Sequence, residues 1–300
     1  MSVTLRFTTP LLLGAAALLC LAPTAGAAPP APAEHRASTP AAKPGQQADP
    51  NAFQMILEPR AMGLLKATSE KLAAAKTLTF TAVVGYEYPS KLGPPIVYTS
   101  RYDVTMQRPD KLRVVMPGDG PASEFYYDGK TMVAYAPTED LAAIVAAPPT
   151  VDEALKAAFQ KAAIYFPFTD LLVSDPYAAL ADGARLAFYV GPSGVVGDVK
   201  TDMVVWANDE VFLQMWIGTE DKLPRRIRAI YRTDPLALRH EVTFGNWQLD
   251  PVVGAETFAA TKAQRAGRME FNAPALPPKG VKPIVPGMTD KPAAAAPKSN

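Results

Sequence analysis

Hydrophobic positions in this chain follow two periods. Met62, Leu65, Ser69, Leu72 and Ala73 fall at helical spacing behind Pro59, which suits a first helical turn; the spacing predicts one helix ending near Lys76. The period then drops to two. Leu78, Phe80, Ala82, Val84, Tyr86 and Tyr88 alternate with Thr79, Thr81, Val83, Gly85 and Glu87, the pattern of a strand with one face on a core. Tyr98, Tyr102, Val104 and Met106 repeat it after the turn Gly93-Pro94-Pro95, and Leu112, Val114 and Met116 repeat it after Arg108-Pro109-Asp110. Phe125 and Tyr127 mark a fourth strand, Val133 and Tyr135 a fifth. Asp128-Gly129 between them predicts a hairpin turn with positive φ at both central residues.

The middle of the chain changes character. A run over residues 141–147 leads to Pro148-Pro149, and Thr150 with Glu153 makes a capping box that predicts a helix through Leu155, Ala158, Phe159 and Ala162. Tyr165-Phe166-Pro167-Phe168 interrupts it. Shorter helical pieces are expected over 169–174 and 177–180, the latter opened by Asp175-Pro176. Strands resume over 186–191, 203–207, 211–217, 227–231 and 241–249. The plan is helix, five strands, helical insert, five strands. A sheet of that size curls, so the fold class expected is α+β: a strongly curved antiparallel sheet, an open half-barrel, with helices against its inner face.

The ends are different again. Residues 1–27 have the form of a secretory signal: Arg6, an apolar stretch from Leu11 to Leu21, then Ala25-Gly26-Ala27 for cleavage. The apolar stretch is about 11 residues, short of the roughly 20 that span a bilayer. Cys20 is the chain's single cysteine. Leu19 before it does not suit lipoprotein processing, so no lipidation and no disulfide are expected in the mature chain. Residues 28–53 are an Ala/Pro-rich linker and 273–300 a Pro-rich tail, leaving 54–272 as the folded domain. The destination is the periplasm, with no transmembrane segment in the mature chain and a monomer expected.

Composition narrows the function. Thirty Lys and Arg balance 29 Asp and Glu, so nucleic-acid binding has no electrostatic basis. Of two histidines, His35 lies in the linker and His240 opens a strand. With one histidine in the domain and no cysteine, no metal site and no cofactor are expected. Gly191-Pro192-Ser193-Gly194 is a turn, not a nucleophile elbow, and no phosphate-binding glycine loop occurs. No catalytic residue is assigned.

Several segments in their order resemble a known family. They are Gln107-Arg108-Pro109-Asp110-Lys111-Leu112, Tyr127-Asp128-Gly129-Lys130 with Tyr135-Ala136-Pro137, Pro148-Pro149-Thr150, Phe166-Pro167-Phe168, Asp175-Pro176-Tyr177, Gln214-Met215-Trp216-Ile217, Leu223-Pro224-Arg225-Arg226 and Phe244 with Trp247. From about Leu64 to Phe271 the chain resembles the predicted periplasmic proteins of domain of unknown function 2092, which are similar in fold to the lipoprotein carriers LolA and LolB. The resemblance implies a half-barrel with a helical lid over an apolar concave face. It carries over no activity.

The aromatic residues supply the candidate site. Tyr86, Tyr88, Tyr98, Tyr102, Phe125, Tyr127 and Tyr135 are expected on the inward parity of successive strands, with Trp206 and Trp216 on later ones. The lid is expected to present Ile144, Leu155, Phe159, Phe166 and Leu171. Arg225, on the same side as Ile227 and Tyr231, is a candidate for a head group at the cavity mouth. Two outcomes stay open. The face is a filled core, or it is a groove for a lipid, acyl chain or lipoprotein, where tyrosine hydroxyls stay wet while their rings are covered. The alternatives are an envelope sensor or adaptor that binds a protein partner, and a hydrolase with two carboxylates facing one cavity.

Overall fold

The computed structural model describes residues 56–118 and 120–273. The signal, the linker, Cys20, His35 and nearly all of the C-terminal tail lie outside them. One helix, α1 (Pro59–Ala74), precedes six strands: β1 (Thr77–Tyr88), β2 (Ile96–Gln107), β3 (Lys111–Met116), β4 (Ser123–Tyr127), β5 (Thr131–Ala136) and β6 (Leu141–Ala146). Three helices follow, α2 (Val151–Ala162), α3 (Thr169–Leu172) and α4 (Pro176–Ala181). Then come β7 (Leu186–Ser193), β8 (Thr201–Ala207), β9 (Val211–Gly218), β10 (Pro224–Tyr231), β11 (Arg239–Leu249), a short 3-10 turn (Ala255–Phe258) and β12 (Gly267–Arg268).

All twelve strands form one sheet in the order β12-β6-β5-β4-β3-β2-β1-β11-β10-β9-β8-β7. Its two ends do not meet, so the sheet stays open. Neighbours run antiparallel except β12, which lies parallel to β6. Two expectations change here. The run over 141–147 is a sixth strand and no part of the helical insert. Its alanines gave no alternation to read, but β5 pairs with it along its whole length. The Asp128-Gly129 turn places only Gly129 at positive φ, +88°. Asp128 instead accepts the Lys130 and Thr131 amides through its carboxylate, at 2.9 and 2.7 Å.

Curvature follows from the main core cluster. It joins β1–β5 and β11 to α2, α3 and the following-loop side chains, with Ile227 of β10 packed against it. Laid flat, seven strands would spread over roughly 29 Å. The inward curl lets one helical layer reach both flanks: Phe168 meets Phe80 of β1 at 5.4 Å between ring centroids, and Phe166 meets Phe125 of β4 at 5.5 Å. A second cluster seats α1 on β7–β9 through Ala61 and Leu65 against Val204, Trp206, Met215 and Ile217. Asp250 ties α1 to β1 by accepting the Lys76 and Thr77 amides, at 2.7 and 3.1 Å.

The convex face is polar where β10, β11 and β1 pass. Arg226 donates to Glu241 at 2.7 Å, and Glu87, nearly buried, accepts from the guanidinium and backbone amide of Arg239. Chiefly through that side-chain hydrogen bond, the Arg239 guanidinium holds the Glu87 carboxyl below its usual 4.5. A depressed carboxylate stabilises the fold fully above the unfolded value and loses that contribution as pH falls through the folded one. Urea unfolding midpoints should therefore decline below about pH 5, and Glu87→Gln should flatten part of that decline while lowering stability at pH 7. An unchanged acid slope in Glu87→Gln would remove this pair from the account.

Candidate functional site

Two helical groups cover the concave face. α1 and α4 lie over β7–β9; α2, α3 and their linking loops lie over β2–β5. The second group is the lid. Thr150 caps α2 by accepting the Glu153 amide at 3.3 Å while its hydroxyl donates to Glu153 at 3.0 Å. The helix ends at Ala163, whose φ of +52° turns the chain back. Leu155, Phe166, Phe168, Leu171 and Leu172 all face inward and are buried. Burial of each contributes about 1.5–3 kcal/mol. Beneath them the concave face is filled, not hollow.

The lid's polar ties gather at one end. Tyr127, fully buried, donates its hydroxyl to the Pro148 carbonyl at 2.7 Å. Burial, reinforced by nearby Asp110, pushes that phenol up to about 12. The Val151 amide donates to Pro109, Arg108 donates to the Val173 carbonyl at 3.0 Å, and Ser174 donates to Asp152 at 2.7 Å. From that tethered end α2 runs about 18 Å toward the opposite end of the sheet. There its last turn is held from outside by Ala273, whose amide donates to Lys161.

At the far end the inner face continues past the lid. Strand register places Tyr86 between Tyr98 of β2 and His240 of β11, and Tyr88 opposite Ile96. Tyr86 stacks on Tyr98 at 5.7 Å, Tyr88 meets Tyr98 at 6.2 Å, and Tyr231 sits edge-on to His240 at 5.2 Å. Tyr102 marks the lid's border, at 5.5 Å from Phe168. Across the opening, Phe159 and Tyr165 of the lid meet at 6.3 Å and remain 48% and 38% exposed. Tyr98 is 40% exposed and Ile96 49%. This is an open aromatic mouth. Burial raises the Tyr86, Tyr102, Tyr165 and Tyr231 hydroxyls, so all stay protonated donors at neutral pH. Burial also lowers His240, which favours its neutral form. Asp170, at the start of α3, has its carboxyl raised by desolvation.

The other expected residues lie elsewhere. Phe125 and Tyr127 face inward but are core beneath the lid. Tyr135 is on the convex face, packed with Val133, Ala142 and the alanines of the C-terminal segment. The hairpin pairs Phe125 with Ala134, so inward positions switch from odd numbers on β4 to even numbers on β5. Ile144 follows Val133 onto the convex face, in a strand and not in the lid. Phe159 does not seal the groove, because α2 turns it outward. Trp206 is inward but buried under α1 and α4, donating to the Leu180 carbonyl at 2.9 Å. Trp216 is convex, with Arg226 5.8 Å from its ring. Arg225 sits at a bulge at the tethered end and pairs with Asp221 of its own turn. About five strand residues, roughly 17 Å, separate it from the mouth.

Tyr165, Tyr231 and His240 complete the mouth and were not among the expected site residues. The parity of Tyr231 with Ile227 was a usable signal; the aperiodic turn around Tyr165 offered none. Two cavities, of about 280 and 250 Å³, lie outside the mouth: one behind β4 and β5 under residues 258–265, the other around Arg225 and Trp247. Among the described residues no three His, Cys, Asp or Glu side chains converge to share a metal ion, and no helix is long and apolar enough to cross a membrane.

An open, curved antiparallel sheet with a helical lid on its concave side defines the class of this protein. A family model described as predicted periplasmic protein, domain of unknown function 2092, matches residues 61–272. The chain belongs to that family. No curated protein matches it. Solved structures similar to it include MucB (12% identity, TM-score 0.37, covering 68% of this chain and 63% of that one), known also in complex with MucA from Pseudomonas aeruginosa. LprF from Mycobacterium bovis is 17% identical, with TM-score 0.41 and coverage of 65% and 96%. A LolA superfamily protein from Nitrosomonas europaea is 8% identical, with TM-score 0.31 and coverage of 67% and 98%. These likenesses are distant and concern shape alone.

Proposed function

We propose that the protein binds a hydrophobic ligand at the aromatic mouth, and that the lid swings from its tethered end to admit more of that ligand onto the concave face. Binding, not catalysis, is the activity proposed. The observation that carries it is the stretch of inner face beyond the lid, where Tyr86, Tyr88, Ile96 and Tyr98 continue the core pattern without a cover. Exposed apolar surface of this kind marks interaction sites. A lid held by apolar contacts can yield when an apolar ligand replaces them.

Tryptophan fluorescence is a poor reporter here, because Trp206, Trp216 and Trp247 all lie away from the mouth. Amide NMR during titration with decyl maltoside below its micelle concentration is direct. Saturable shifts at Tyr86, Tyr98, Phe159 and Tyr165 are expected. Shifts spread evenly over the surface, or none, would refute the site.

A second reading rests on a separate feature. Register pairs β2 with β3 only from Asp103 onward, so Ile96–Arg101 has one strand neighbour. The other two edges are each covered at one end: residues 56–58 bond to Ala187 of β7, and Gly267–Arg268 lie along Leu141–Ala142 of β6. An envelope partner adding a strand at Ile96–Arg101 would make the protein an adaptor. Proline scanning of Thr99 and Arg101 in a partner pull-down separates this from ligand binding at the inner face.

A further inference from the structure

The described chain ends beside the mouth. Ala273 is the last described residue, and its amide donates to the Lys161 carbonyl at 2.8 Å. Lys161 belongs to the last turn of α2, between Phe159 and Tyr165, the two lid residues whose rings meet at the opening. The segment leading there is anchored along its way. Gly267–Arg268 pair with β6, the Met269 amide donates to the Ala142 carbonyl at 3.1 Å, and Phe271 packs against the main core cluster. The residues after Ala273 therefore depart from the lid side of the mouth.

The sequence that follows has a period of its own. Pro274, Pro277, Pro283 and Pro286 fall in one register of three, with Gly280 at the remaining step. Three residues make one turn of a polyproline II helix, so this spacing lines the rings along one edge. Val281 and Ile284 share a second edge with Ala275 and Pro278, while Lys279 and Lys282 lie on the third between Leu276 and Val285. Such a strip suits an aromatic-lined groove: its rings pack on flat aromatic faces, and its backbone leaves every carbonyl free to accept. Tyrosine supplies both a ring face and a donor hydroxyl. Tyr86, Tyr88 and Tyr98 stand together on the inner face beyond the lid.

Length permits the contact. The mouth spans four adjacent strands, β10, β11, β1 and β2, roughly 14 Å. The thirteen residues Pro274–Pro286 cover roughly 40 Å as polyproline II. A segment tethered at the rim has an effective concentration on the order of millimolar, so a weak intrinsic contact is enough to fill the mouth. Proline's fixed φ also lowers the ordering entropy lost on docking.

We propose that Pro274–Pro286 docks in the mouth of its own chain as a polyproline II strip, with the proline edge on Tyr86, Tyr88 and Tyr98, and serves as a plug that an incoming amphiphile displaces. This rests on the mouth being an apolar interaction site, and names what occupies it before the ligand arrives.

The test uses the full chain with a nitroxide on Lys279→Cys, on the edge turned away from the tyrosines, and with Cys20→Ser so that the label has a single thiol. Paramagnetic broadening of amide NMR signals is expected at Tyr86, Tyr98, Phe159 and Tyr165, but not around Arg225, and decyl maltoside should relieve it. Pro283→Gly combined with Pro286→Gly keeps the tether and breaks the strip. That pair should remove most of the broadening and tighten decyl maltoside binding about three- to tenfold by calorimetry. Both positions lie outside residues 56–273, so thermal melts should match the parent. Broadening undiminished in the glycine variant would be proximity alone and would overturn the docking. So would no broadening at the mouth, or broadening seen only between a nitroxide-bearing copy and a separate isotope-enriched copy. Unchanged amphiphile affinity in the glycine variant would overturn the plug. The ligand site itself fails only if decyl maltoside binds neither the parent nor the glycine variant.

Discussion

Replacing Phe168 with alanine is expected to destabilise the domain by about 3–5 kcal/mol, the range for removing a buried phenylalanine. For a domain of this size that lowers the melting temperature by roughly 6–20 °C. Phe168 is 2% exposed and its ring meets Phe80, Tyr102 and Phe166 at 5.4, 5.5 and 5.8 Å. Phe159 in the same lid is the contrast. It is 48% exposed, so Phe159→Ala should change stability by less than about 0.5 kcal/mol and still weaken decyl maltoside binding. Denaturant unfolding and calorimetry on the two variants measure both effects. If Phe159→Ala destabilised as much as Phe168→Ala, the division between sealed lid and open mouth would be wrong.

Trp206→Ala should cost a similar amount, about 3–5 kcal/mol. The indole is nearly buried beneath α1 and α4, and its N–H satisfies the Leu180 carbonyl. Trp206→Phe keeps most of the apolar contact but leaves that carbonyl unmatched, an expected loss of about 1–3 kcal/mol. In both variants the affinity of the mouth for decyl maltoside should be unchanged among the folded molecules. Reduced affinity in Trp206→Phe would mean that the ligand reaches under α1, and the site would have to be redrawn across the whole concave face.

Much of this architecture is legible in the order of residues. Period-two alternation in β1 and β2 gives both their strands and their inner face, and the Thr150–Glu153 box gives the start of α2. The tyrosines of the mouth are legible for the same reason: from Phe80 to Tyr88 and from Tyr98 to Met106, one uninterrupted parity carries the core face outward. Parity fails where something shifts it. The β4–β5 hairpin reverses the numbering, which puts Tyr135 on the convex side. A bulge between Pro224 and Arg226 frees Arg225 from the strand's alternation and lets it turn back to Asp221. Long-range pairing was not legible at all. Nothing local in Gly267-Arg268 says that these residues lie along β6.

The lid is the element on which the functional proposal turns, and native-state hydrogen exchange on the full chain tests it most directly. If the lid opens from its tethered end, the amides of 154–172 should exchange through a partial opening at free energies below those of β1, β2 and β11, and decyl maltoside should shift their exchange selectively. If those amides exchange only with global unfolding, and the amphiphile leaves them unaffected, α2 and α3 are a fixed part of the core and the mouth has no movable lid.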